Sequence, residues 1–92
     1  MYRFKKLKGI KLTYEVQGLI FFTCRTLDKQ SIARQNKIKE LCMNIAGADA
    51  KALLEVLTTD TSILRISEKH FVPEKKLYQL RKSFYEEFAQ YL

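Results

Sequence analysis

From residue 13 onward, apolar residues recur three and four positions apart, the spacing of one face of an α-helix. Thr13 is a candidate N-cap, with Glu15 placed favourably in the first turn of the helix it opens. That helix is expected to run to about Arg25, with Val16, Leu19, Ile20, Phe22 and Thr23 inward. Phe21 makes it apolar around much of its girth, which suits a central position in the core. Asp28 or Ser31 caps the next helix, which carries Ile38, Leu41, Cys42 and Ile45 on one face and Arg34, Lys37, Lys39 and Asn44 on the other. Gly47 is its natural stop. Asp49 is placed to cap a short helix over 50–57, packed through Leu53, Leu54, Val56 and Leu57.

Residues 58–62, four hydroxyl side chains and an aspartate, mark a tight corner between helices. A helix over 62–70 follows, with Ile63 and Ile66 inward. Pro73, the only proline, suits the first turn of a last helix and holds Val72 extended before it. That last helix is expected to run almost to Leu92. Three glycines and one proline in 92 residues are few for a chain of strands and tight turns. The expected fold is therefore all-α: a compact bundle of about five helices forming one domain over 13–92, preceded by an arm over 1–12.

Charge sharpens the picture of the arm. The chain carries a formal +7. Residues 1–12 contribute five of those charges through Arg3, Lys5, Lys6, Lys8 and Lys11, with no acidic residue. A cationic arm of this kind points to a polyanionic partner. Tyr2, Phe4, Leu7, Ile10 and Leu12 interleave with the cations, so the arm is either a short strand or an extended segment pinned by its apolar side chains.

The two helices flanking Pro73, about residues 62–85, have the layout of a helix-turn-helix. The first helix and Val72 buttress the second, and Ser67 is small where the helices approach. Leu77, Leu80 and Phe84 form the second helix's inward stripe, which turns Lys75, Gln79 and Lys82 outward with Lys76 and Tyr78 beside them. In that motif the outward face enters the major groove, where glutamine can pair with adenine and lysine can reach guanine or phosphate. Lys75, Lys76, Tyr78, Gln79 and Lys82 are the candidate base and backbone contacts, with Arg3, Lys5, Lys6, Lys8 and Lys11 along phosphates or in an adjacent minor groove.

The stretch Val72-Pro-Glu-Lys-Lys-Leu-Tyr-Gln-Leu-Arg-Lys82 resembles the recognition half of helix-turn-helix regulators. With the helices before it, it is similar to the last region of sigma factors and of small phage or mobile-element activators. The resemblance implies double-stranded DNA as partner, transcriptional control as role, and RNA polymerase as a candidate second partner. Two positions depart from the pattern. Phe71 stands where glycine is usual, so the left-handed turn is expected to be built otherwise, and Val72 before Pro73 supplies no side-chain cap.

Other chemistry is sparse. His70 is the single histidine and reads as a turn residue bonding locally. There is no glycine-rich phosphate loop, nucleophile elbow or zinc-protease motif, and Glu86 and Glu87 point apart on one helix. Cys24 and Cys42, eighteen positions apart, read as buried reduced thiols. No enzyme activity, metal or cofactor is expected. The apolar run at 18–22 is too short for a membrane span or a signal peptide, so a cytoplasmic protein is expected. The aromatic tail over 83–92 is expected to cover the N-terminal helix. The alternative is a protein-interaction surface, including one that forms a homodimer.

Overall fold

Three hydroxyl caps start three of the helices. In the computed structural model, which describes residues 4–92, the first helix, α1, spans Tyr14–Arg25. The Val16 backbone N–H donates to Thr13 Oγ1 at 3.2 Å. The second, α2 (Ile32–Ala46), starts on Ser31, whose Oγ accepts from Arg34 N at 3.1 Å. It ends on Gly47, whose φ of +54° is open to glycine without strain. Then come α3 (Ala50–Thr58) and α4 (Ile63–His70), the latter capped by Ser62 through Arg65 N at 3.2 Å. The last helix, α5 (Glu74–Phe88), finishes in a 3-10 turn over Ala89–Tyr91. No strand occurs among the described residues, and the arm from Phe4 to Leu12 is extended, with a turn at Gly9.

The main core gathers Ile20 and Cys24 of α1, Ile38, Leu41 and Cys42 of α2, Leu53 and Leu57 of α3, and Phe84, Tyr85 and Phe88 of α5. The Phe84 and Phe88 rings stack at 5.3 Å. Helix α5, which carries the aromatic C-terminal band, packs chiefly against α2 and α3, with α1 a lesser neighbour. A smaller core of Ala52, Val56, Ile66, Val72 and Leu77 binds α4 and the start of α5 to α3, and half-buried Leu80 touches both cores. The radius of gyration, 12.2 Å, is that of a compact body of this length.

Several expectations change. Leu19 and Phe22 lie outward, 52% and 42% exposed, while the inward face of α1 is Gln17, Ile20, Thr23 and Cys24. With apolar residues all round this helix, periodicity alone does not select its phase, and the arm settles it by covering Gln17. Asp49 precedes α3 without capping it by its side chain. Its carboxylate instead pairs with Lys76 Nζ.

Phe71 builds the left-handed turn itself, at φ +57° and ψ +43°. The N–H groups of Phe71 and Val72 both reach the Ser67 carbonyl, the latter at 3.1 Å, and Val72 packs in the same cluster as Ile66. This is a helix C-cap in which a phenylalanine occupies the position glycine normally holds. His70 bonds across the fold: Glu55 Oε1 accepts from His70 Nε2 at 2.9 Å and from Lys69 Nζ at 3.1 Å, tying the end of α4 to α3. Pro73 takes the N-cap position of α5, one residue later than expected, and offers no side-chain cap.

Candidate nucleic-acid interface

The arm lies beside α5 because of one buried amide. Gln17 is fully buried, and its Oε1 accepts from Leu7 N at 2.8 Å. Its Nε2 donates to the carbonyls of Leu12 at 3.1 Å and Ile10 at 3.4 Å. A segment without strand partners thereby satisfies its backbone groups on a side chain. Ile10 is buried, and the Phe4 ring sits 5.4 Å from Tyr14 and 5.2 Å from Phe21. Gly9, at φ +80°, turns the chain between Lys8 and Ile10. From Phe4 onward the arm is a docked segment that exposes Lys5, Lys6, Lys8 and Lys11.

Docking creates a groove of about 520 Å³ between residues 8–10 and the outward face of α5. Five of the expected contacts line it together: Lys8, Lys75, Tyr78, Gln79 and Lys82. All five side chains are exposed. Lys76 does not join them, being paired with Asp49 at the other side of the helix. Lys5 borders a smaller cavity of about 200 Å³ with Phe4, Phe21 and Arg25. Lys6 and Lys11 are exposed outside the groove, and Arg3 lies outside the described residues. The groove's cations, Lys8, Lys75, Arg81 and Lys82, face one carboxylate, Glu74, a balance of 4 − 1 = +3.

Arg81 is the residue that outward-face counting misses. It borders both the groove and the smaller cavity. Its position is four residues after Leu77 and four before Tyr85, inside the helix's apolar stripe, and that placement is visible in the sequence. The guanidinium carbon lies 5.2 Å from the centroid of the Tyr78 ring, and Nε is buried with no acceptor among the described residues. Burial lowers the pKa of Arg81, Tyr85 and Tyr78 partly offset this, and Arg25 adds to the lowering. An arginine stays charged regardless. The contrast with Arg25 is sharp. Arg25 donates to Asp60 at 3.0 Å and to the carbonyls of Leu57 and Val56 at 2.7 and 3.3 Å, closing the C-terminus of α3.

The aromatic residues of a C-terminal interaction surface are largely spent in the core, since Phe84, Tyr85 and Phe88 are buried and only Tyr91 and Leu92 remain exposed. Among the described residues no group of histidine, cysteine or acidic side chains is placed to hold a metal. No described helix is long and apolar enough to cross a membrane. No protein-family model, curated protein or solved structure matches the chain.

Proposed function

We propose that this protein binds double-stranded DNA without catalysis, using α4, the Phe71 turn and α5 as a helix-turn-helix. The observation that carries the reading is the shared groove. The cationic arm and the outward face of α5, assigned separately from sequence, line one concavity. The side chains of Lys8, Lys75, Lys82 and Gln79 make no hydrogen bond or ion pair with any described residue. In this reading Gln79 and Lys75 meet base edges, while the arm lysines release counterions from phosphates. The latch on Gln17 holds the arm from Phe4 onward against the body. That favours a path along the backbone over insertion of a free arm into the minor groove. A regulator of transcription of the phage or mobile-element kind is the role this architecture serves.

The test is selection of preferred duplexes from a random pool, followed by competition assays. Lys75→Ala with Gln79→Ala should erase the preference, each lost base contact costing roughly 1–3 kcal/mol of discrimination. Replacing Lys5, Lys6, Lys8 and Lys11 by serine should weaken all sequences alike. Substitution is the right perturbation for the arm, because deletion would also remove the buried Ile10. A double variant that kept the full preference would remove α5 from the reading face.

A further inference from the structure

Arg81 is a half-buried charge with no hydrogen bond or ion pair from its side chain among the described residues. A buried N–H with no acceptor has given up its water without gaining a bond, which destabilises the fold. Arg25, also half-buried, is answered: it holds a carboxylate and two carbonyls, and it lies over the Phe21 ring at 4.5 Å. Arg81 rests on Tyr78 alone, although of its guanidinium nitrogens only Nε is shut off from solvent. Lys8 and Lys82 share its groove and are equally unpaired among the described residues.

We propose that the groove between residues 8–10 and α5 is a phosphate seat, in which Arg81, flanked by Lys8 and Lys82, takes a phosphodiester of one DNA strand. The assignment rests on the duplex-binding reading above and adds the residue that fixes the strand's position. Phosphate fits the guanidinium fork, which offers two parallel N–H donors to two oxygens. On binding, the guanidinium lifts from the Tyr78 ring and turns its Nε edge to the phosphate, which satisfies the orphaned donor. A single carboxylate is a poorer match. Lys8 on the arm and Lys82 on α5 line opposite walls of the groove, so a chain of several anionic groups meets cations on both sides. Glu74, at the N-terminal end, repels anions there and biases the phosphate toward Arg81 and Lys82. Tyr78 holds Arg81 in the unbound state and is freed to meet the strand once the arginine moves.

The experiment follows the Arg81 Nε–H signal by heteronuclear NMR while a mixed-sequence duplex is added, and separately while inorganic pyrophosphate is added. Duplex affinity is measured across salt for wild type, Arg81→Lys and Arg81→Gln. The expected result is a shifted Nε–H with both probes. Arg81→Gln should flatten the log–log salt slope by about 0.9, while Arg81→Lys keeps the slope with weaker binding. If Arg81→Gln fails to fold, the wild-type signal decides alone. Duplex binding with an unmoved signal would overturn the Arg81 seat and leave the duplex reading standing. A response to pyrophosphate without duplex binding would overturn the duplex reading and support an anion seat. No response to either probe would overturn both.

Discussion

Replacing Gln17 by leucine, nearly equal in bulk, should loosen the arm from the body. The substitution strands three backbone groups at once: the Leu7 N–H and the carbonyls of Ile10 and Leu12. At about 1–3 kcal/mol for each unsatisfied buried group, an arm held in place would cost roughly 3–9 kcal/mol. The arm has a cheaper course, which is to lift into water. Lifting gives up the burial of Ile10, roughly 1.5–3 kcal/mol, with smaller losses from half-buried Leu7 and Leu12. It also gives up the ring contacts of Phe4, about 0.5–1.5 kcal/mol each. The lower route governs, so the expected loss is roughly 3–5 kcal/mol, a large share of a small domain's stability. Urea denaturation should show a lower midpoint and a smaller m value, because the native state of the variant buries less surface. Hydrogen exchange localises the effect: the Leu7 amide, protected in the parent, should exchange freely. Duplex affinity should fall along with the docked lysines. A loss under about 1 kcal/mol with Leu7 still protected would refute the latch.

Phe71→Gly should raise the melting temperature by roughly 2–6 °C, since it relieves a left-handed phenylalanine that is 93% exposed and contributes little packing. Phe71→Ala retains the strain and should change little, and a lower melting temperature for the glycine variant would contradict the turn geometry. Hydrogen bonds from His70 and then Lys69 hold the Glu55 carboxyl below its ordinary value of 4.5. The stability it contributes is present above that ordinary value and is lost as pH falls through the lowered one. The stability gap between wild type and Glu55→Gln at neutral pH should therefore close in acid, and a gap that persisted would contradict the bonding to α4. Burial pushes the Cys24 and Cys42 thiols up to about 12. A disulfide reagent at pH 8 should consequently modify them slowly in the native protein and fast in denaturant, and equal rates would contradict their burial.

Signals that act locally were legible in the sequence. Thr13 caps α1 as expected, Ser31 rather than Asp28 caps α2, Ser62 of the hydroxyl-rich corner caps α4 where it was expected to be the first helical residue, and Gly47 ends α2, because a hydroxyl or a missing Cβ works within one turn of chain. Features set by tertiary contact were not. The phase of α1 depends on an arm whose backbone needs Gln17, and a glutamine among phenylalanines reads as an outward residue. Asp49 is a good cap by type, but Lys76 of α5 takes its carboxylate, a pairing no local rule anticipates. His70 finds Glu55 across the fold for the same reason. At the candidate site, the exposed lysines and Gln79 followed from helical spacing. Arg81 did not, because helical spacing puts it inside the stripe between Leu77 and Tyr85, where a charge reads as a break in the apolar face rather than as part of the outward one.

The most direct test of the DNA-binding reading is a duplex-binding titration across salt with the full chain. Seven cations of the arm and α5, Lys5, Lys6, Lys8, Lys11, Lys75, Arg81 and Lys82, have no carboxylate partner among the described residues. At about 0.9 per phosphate neutralised, and with Lys75 on a base edge, engaging five or six of them gives a log–log slope of roughly −4.5 to −5.5. Affinity should then fall between several hundred-fold and several thousand-fold, on the order of 10²–10⁴, from 50 to 200 mM salt. Binding with a slope in that range is the predicted result. No measurable binding at the lower salt, or affinity indifferent to salt, would contradict the account.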